Sequence, residues 1–354
     1  MKRTSLYDEH KKLGAKFTEF SGWEMPVSYT SIIDEHSAVR TNVGVFDTSH
    51  MGTFIVSGKD IEKFLNYVTL GNMSGLPDRK ARYSMLLNEE GGIKDDVIVY
   101  KFGNGHMIVV NAGNLDKDFE WLNDHKPECI ELENISGDIS LLAVQGPNAV
   151  EILQSISNTD ITNMKYFTVS ELKLKCVNTD FCRIARTGYT GEDGFEIFIS
   201  KDKSIELWKK LISLSVKPCG LGCRDTLRLE ACMPLHGHEI DENINPLEAG
   251  FQKTINWDND FIGKEKLVPL KDKPLRKSVA FECLSGIARN SNEVFFGDKK
   301  IGYVTSGSFS PTFKKAIGMA LIESDVQSDN LEVTIHNNSR KIKIVPKPFY
   351  KRQK

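Results

Sequence analysis

The chain has no run approaching the ~20 consecutive apolar residues that a membrane helix needs. Its opening stretch, MKRTSLYDEHKKLG, holds neither the apolar core of a signal peptide nor an Arg/Ser-rich leader. That pattern predicts a cytoplasmic protein, or the mature form of a mitochondrial one. Charge of one sign is not in excess: 46 Lys and Arg stand against 48 Asp and Glu, a formal net charge of −2. Without a basic field, binding nucleic acid through the whole surface is disfavoured. The seven cysteines are odd in number and scattered, which fits reduced thiols better than a disulfide framework. There is no internal repeat, no low-complexity tract and no dinucleotide-binding glycine motif.

What is present is a chain of 354 residues, 40% hydrophobic, long enough for two or three domains. Helices are expected over 4–14 (capped by Thr4, closed by Gly14), 31–42, 60–68, 114–124, 204–214 and 223–232, with another starting after Gln145-Gly146-Pro147. Strands are expected over 51–57 and 139–144, and they dominate 81–111. The stretch 269–276, PLKDKPLR, reads as a linker. From Lys277 onward short strands alternate with Gly-, Pro- or Asn-rich breaks, which predicts a C-terminal all-β domain.

The first site candidate is GGIKDDVIVY, residues 91–100. Two glycines supply a turn, and a β-rich strand follows. Period-2 alternation puts Asp96 on one face with Ile98 and Tyr100, and Asp95 on the other with Val97 and Val99. The break at 103–105 predicts a hairpin into His106–Asn111. A two-residue loop, either Gly103-Asn104 or Asn104-Gly105, puts Asn111 on the Asp96 face; a three-residue loop puts it on the other. Acidic residues at a strand start are also common with no function, so pattern alone leaves both readings open.

The second candidate is RTGYTGEDGFE, residues 186–196, with three glycines, Tyr189 and three acids. No helix follows, which argues against a phosphate loop. Glu196 heads a strand, and one carboxylate there can accept from both N–H donors of a 2-amino-pyrimidinone edge. An ordinary hairpin turn is the competing reading. The third candidate is the helix LGCRDTLRLEA, residues 221–231, where Arg224 and Arg228 lie one turn apart on one face. They are either a solvated ion-pair face or a guanidinium fixed toward a ligand oxygen. Cys219, Cys223, Cys232, His236 and His238 crowd nearby, yet their spacing matches no common zinc site, and Cys223 and Cys232 fall on different faces of one helix. His50 and His236 remain candidate pocket groups.

Taken together, GWEMP (22–26), FDTSHMG (46–52), GGIKDDVIVY, VVNAGN (109–114), AVQGP (143–147), RTGYTGEDGFE, PCGLGCRDTLRLEA (218–231), INPLEAG (244–250), FIGKE (261–265), TSGSFSPT (305–312) and KPFY (347–350) make the sequence similar to the T-protein of the glycine cleavage system, an aminomethyltransferase family. The order and spacing cover essentially the whole chain. The resemblance implies an α+β, three-lobed folate-binding fold. Residues 1–270 would form two intertwined lobes of antiparallel sheets with flanking helices, and 271–354 a β-barrel-like domain. It implies Asp96 as the essential acid and Tyr189, Glu196 and Arg224 as folate-binding residues. Met51, Tyr83, Ile98, Tyr100 and Asn111 sit at positions resembling other parts of the pocket. It implies tetrahydrofolate as co-substrate, lipoylated H-protein as partner, and no metal, nicotinamide, pyridoxal phosphate, nucleic acid or membrane. Cys223 and Cys232 depart from the small residues usual in the family, and His236 from a frequent Tyr. Two rivals share the fold: a folate-dependent demethylase and a non-catalytic folate-binding protein. The intact DDVIVY and RTGYTGEDGFE segments favour the aminomethyltransferase.

Overall fold

A computed structural model of the protein describes residues 1–103, 105–326 and 330–352. Its contacts divide the chain into two units. The first comprises Met1–Leu65, Met73–Tyr83 and Val97–Asp225; the second comprises Asn66–Asn72, Ser84–Asp96 and Thr226–Lys354. The architecture is α+β, with several mainly antiparallel sheets and a closed C-terminal barrel, in agreement with the fold class read from the sequence.

In the first unit a six-stranded sheet runs in the order Val169–Glu171, Cys182–Ala185, Gly194–Ser200, Ile139–Gln145, Gly44–Asp47, Lys217–Pro218. The two central strands, ISLLAVQ and GFEIFIS, are buried almost end to end. Burial on both faces explains why they read as continuous apolar runs rather than alternating ones. On one face Leu142, Val144, Phe195, Ile197 and Ile199 pack with Leu153 and Ile156 of helix Ala149–Ile156 and with Leu207, Trp208 and Leu211 of helix Ser204–Ser213. On the other face Ile139, Leu141, Ala185 and Phe198 pack with Tyr100, Met107 and Val109 of a second sheet. That sheet has the order Ala81–Leu87, Ile93–Phe102, Gly105–Val110, Gly52–Gly58, Ile130–Asn134. The chain passes between units inside its first two strands, after Tyr83 and after Asp96.

In the second unit, six strands close into a barrel in the order Arg276–Cys283, Lys315–Glu323, Lys299–Ser310, Glu293–Phe296, Leu331–Ile335, Asn338–Val345. Pairing of Ala280 with Val345 closes it and leaves no free edge. Phe281, Val294, Val304, Ala320, Val333 and Ile342 fill its core. The Pro-containing stretch 269–276 holds part of a 3-10 turn, Val268–Leu270, and ends where the first barrel strand begins. Arg228, nearly fully buried, bonds Glu239 Oε2 and Ser306 Oγ, each at 2.8 Å, and Glu230 accepts from Ser310 Oγ and Thr312 Oγ1. These bonds fix the end of helix Leu221–Glu230 to the barrel.

The helical expectations hold with two local differences. The helix expected over 223–232 is Leu221–Glu230, so Cys232 lies beyond its end, at φ +52°, and does not share the helix with Cys223. Ser31 caps helix Ile32–Thr41 by accepting from Asp34 N at 3.1 Å. Thr4, expected to cap the first helix, does not: the helix is Tyr7–Lys12, and Thr4 Oγ1 donates to Asp47 Oδ2 at 2.6 Å. As a cap the hydroxyl would accept from a backbone N–H; here its O–H is instead drawn to the buried Asp47 carboxylate by a charge-assisted bond. Gly14 closes the helix at φ +75°, where a side chain would be strained.

Candidate active site

Strand Ile93–Phe102 shows the alternation its sequence dictates. Ile93, Asp95, Val97 and Val99 are buried, while Asp96 and Ile98 are half-buried. Asp95 is therefore a core residue and Asp96 the accessible acid of the pair. Phe102 pairs with Gly105, so the hairpin has the Gly103-Asn104 loop, the first of the two registers open to the sequence; Asn104 itself lies outside the described residues. Ile98 pairs with Val109, and Asn111 follows the end of the partner strand at Val110, half-buried. Asp96 ends a segment of the second unit. Met51, Tyr83, Ile98, Tyr100, Asn111, Tyr189, Glu196 and Arg224 belong to the first.

Within the first unit, Met51 and Ile98 pack against the cluster that contains Tyr100 and Phe198. Tyr100 has no exposed surface. Its hydroxyl lies 3.3 Å from Glu196 Oε2 and 3.5 Å from Thr187 Oγ1, and Thr187 Oγ1 donates to Glu196 Oε2 at 2.5 Å. Burial, with the Glu196 charge beside it, holds the phenol pKa well above its usual value, so Tyr100 stays a donor. Tyr83 stands half-buried on Ala81–Leu87. Tyr100 thus supports the Glu196 carboxylate as a neutral hydrogen-bond donor.

The three acids of the glycine-rich turn have separate partners. Asp193 takes a two-point ion pair from Arg186, with Nε to Oδ1 at 3.0 Å and Nη2 to Oδ2 at 2.5 Å. Glu192 Oε1 meets Arg40 Nη1 at 3.0 Å. Glu196 has hydroxyl donors and no cation within ion-pair distance among the described residues. Gln145, fully buried, organises the turn. Its Nε2 donates to the Thr187 and Phe195 carbonyls at 3.1 and 3.4 Å, and its Oε1 accepts from Thr190 Oγ1 at 2.9 Å. A Cβ at position 188 would come within 1.9 Å of Gln145 Oε1, which accounts for Gly188. The AVQGP and RTGYTGEDGFE motifs are therefore one piece of structure.

The Arg224 guanidinium sits 4.7 Å from the centroid of the Tyr189 ring, a cation–π arrangement. Its Nη1 is buried and has no hydrogen-bond partner among the described residues. Burial lowers its pKa, and Tyr189 and Glu196 oppose that shift, so all three share one electrostatic environment. Its helix neighbour Arg228 is buried and ion-paired with Glu239, so it belongs to no solvated face.

The cysteine–histidine cluster is regrouped. Among the described residues, Glu35, Cys219 and Cys223 have potential ligand atoms within 4.8 Å of one another, and Cys232, His236 and His238 are outside the group. Glu35 already accepts from the backbone N–H groups of Tyr29, Thr30 and Gly220, at 2.7, 3.0 and 2.9 Å. The carboxylate is committed to fixing the chain ahead of helix Leu221–Glu230.

Thr187 and Gln145 are site residues that sequence reasoning did not single out. Both stand inside matching motifs, but their roles depend on pairing. Ala185 faces Glu196 across the hairpin, which brings Thr187 beside the carboxylate.

Comparison with known proteins gives the same assignment along the whole chain. The GCVT N-terminal domain family model matches residues 6–259, and the glycine cleavage T-protein C-terminal barrel domain matches residues 276–351. The chain belongs to the glycine cleavage T-protein (aminomethyltransferase) family. An aminomethyltransferase of Thermosipho melanesiensis is 47% identical, with 99% of this chain and 98% of that one covered. One of Thermoanaerobacter pseudethanolicus is 45% identical at the same coverage. The crystal structure of glycine cleavage system aminomethyltransferase T from Bartonella henselae superposes with a TM-score of 0.93, at 31% identity, covering 99% of this chain and 98% of that one. The family makes this chain an enzyme, an aminomethyltransferase of the glycine cleavage system working in folate-dependent one-carbon metabolism. No helix among the described residues is long and apolar enough to cross a membrane.

Proposed function

We propose that the enzyme transfers the methylene of an aminomethyl group, carried on the lipoyl arm of H-protein, to tetrahydrofolate. The products are 5,10-methylenetetrahydrofolate, ammonia and dihydrolipoyl H-protein. The observation that supports this best is the buried Glu196 carboxylate, oriented by Thr187 and Tyr100 and free of any cationic partner among the described residues. Such a group suits adjacent N–H donors on a flat heterocycle, which is what a pterin edge offers. Arg224 supplies the complementary donor for a pterin oxygen. Tyr189 and Tyr83 offer aromatic surface, Met51 and Ile98 apolar walls, and Asn111 an amide.

Asp96 is the acid of the reaction. The arylamine N10 of folate is a weak nucleophile. A carboxylate that accepts its N–H raises electron density on the nitrogen and stabilises the positive charge that develops as the methylene arrives. Placement on a strand rather than a loop suits that task, and most of the rate gain comes from holding the lipoyl carbon against folate. The enzyme acts in the cytoplasm on this reading. The decisive assay incubates the protein with tetrahydrofolate and aminomethyl-loaded H-protein and measures ammonia and methylenetetrahydrofolate. Folate binding without product would favour a binding protein and overturn the assignment.

A further inference from the structure

His50 is a buried polar residue that none of the roles above uses. It is 2% exposed, and its Nδ1 has no hydrogen-bond partner among the described residues. The turn that carries it is pinned at several points. Asp47 Oδ2 accepts from Thr4 and is hydrogen-bonded to His10 Nε2 at 2.9 Å; Asp47 Oδ1 accepts from Ser49 N at 3.0 Å; Thr48 N donates to the Leu141 carbonyl at 2.9 Å; Met51 N donates to the Thr48 carbonyl at 3.0 Å. Phe20 packs edge-on against the imidazole, with centroids 5.6 Å apart. The turn is fixed on both sides of His50, and the ring it carries is buried.

The neighbour that identifies the partner is Arg224. Burial and the Arg224 charge drive the His50 pKa down to about 4, with Asp47 opposing, so the imidazole is neutral beside the guanidinium. Two buried nitrogens, His50 Nδ1 and Arg224 Nη1, lack partners among the described residues, and the charge of the second acts on the first; burying a polar group without a partner is unfavourable. Opposite in charge, Arg224 and Glu196 influence each other yet form no ion pair. A ligand with N–H donors at one end and a two-lone-pair oxygen at the other satisfies all three side chains. An amino-oxo-pyrimidine edge is such a ligand, and its carbonyl oxygen accepts two hydrogen bonds.

Resting on the pterin reading of Glu196, we propose that His50 is a further ligand-binding residue: its neutral imidazole donates from Nδ1–H to the same heterocycle oxygen that Arg224 Nη1 addresses. Oxygen recognition is then made by a charged and an uncharged donor together, while Glu196 reads the N–H edge.

The test is calorimetric binding of tetrahydrofolate and of 2-amino-4-oxo- and 2,4-diaminopteridine to the wild type, Glu196→Ala, His50→Leu and His50→Asn. The 4-amino group replaces an acceptor by a donor, so the wild type should prefer the oxo compound by about tenfold or more. His50→Leu should lose most of that preference and weaken tetrahydrofolate binding about tenfold. His50→Asn, whose amide places an N–H near the Nδ1 position, should restore both. Full oxo preference in His50→Leu, or failure of His50→Asn to restore it, overturns the proposal. The wild-type preference needs no variant, and its absence overturns the proposal even if the leucine protein does not fold. Unchanged binding in Glu196→Ala would remove the pterin reading itself, separately from the role of His50.

Discussion

Thr187 Oγ1 donates to Glu196 Oε2 at 2.5 Å across the glycine-rich turn that separates the two residues. A hydrogen bond to a buried charged group contributes about 1.5–3 kcal/mol. Thr187→Val should therefore weaken tetrahydrofolate binding about tenfold or more while leaving kcat at saturation close to normal. Glu196→Ala should weaken it further. Calorimetry showing unchanged affinity in Glu196→Ala would remove this carboxylate from the pterin site.

Asp96→Asn keeps size and shape and removes the charge. The variant should fold, bind tetrahydrofolate with near-normal affinity and lose most turnover, by a factor of about 10²–10⁴. Near-normal ammonia release from aminomethyl-loaded H-protein would show that Asp96 is not the acid. Asp95, with no exposed surface on the opposite face of the strand, should behave differently: Asp95→Asn should act on stability rather than on kcat alone.

Gly188→Ala would drive a methyl group into the Gln145 amide that organises the turn. Overpacking of this kind costs about 1–3 kcal/mol. The variant should melt at lower temperature and bind tetrahydrofolate more weakly, and combining it with Gln145→Ala should cost less than the two effects added. Strict additivity in that double-mutant cycle would mean that the two residues are not coupled.

Arg228 is the structural arginine of its helix. Replacing it by Ala leaves Glu239 buried without its cation, and breaking such a pair costs about 3–5 kcal/mol. Urea denaturation should show a large fall in stability. Arg224→Ala, at the ligand end, should lose binding with a much smaller loss of stability; equal destabilisation by both would merge their roles.

Acid should destabilise the fold before its carboxylates titrate. Burial lowers the His106 pKa to about 4, and neither of its ring nitrogens has a partner among the described residues; His50 is lowered to a similar value. Unfolded, both imidazoles take up a proton near pH 6.5. The unfolded state therefore binds more protons below that pH. The contribution of the neutral rings is complete above about 6.5 and is lost as pH falls toward about 4, by roughly 1–3 kcal/mol per ring. Asp47, held near 2 by His10, Ser49 and Thr4 against the effect of burial, acts only below that window. Urea midpoints measured from pH 7.5 to 4.5 should fall, and His106→Leu should flatten the curve. A flat wild-type curve would contradict buried neutral histidines.

Much of this molecule is written locally. The alternation in GGIKDDVIVY separates Asp95 from Asp96 without any structure, because a strand sends successive side chains to opposite faces. The two continuous apolar runs, 139–145 and 194–200, announce strands buried on both sides, and Ser31 announces a helix start. Matching motifs along the whole chain give the family. The sequence could not say which acid of the glycine-rich turn is available to a ligand, since that depends on Arg40 and Arg186 finding Glu192 and Asp193. It could not divide Arg224 from Arg228, which share a helix face and differ only in what the rest of the chain brings to them. Thr4 reads as a helix cap and instead donates to Asp47, because a buried carboxylate distant in sequence makes a charge-assisted bond to its hydroxyl. Local pattern determined the elements and the accessible acid. Tertiary structure decided which polar groups are satisfied and which remain for a ligand, because satisfaction of a buried group is a property of neighbours distant in sequence.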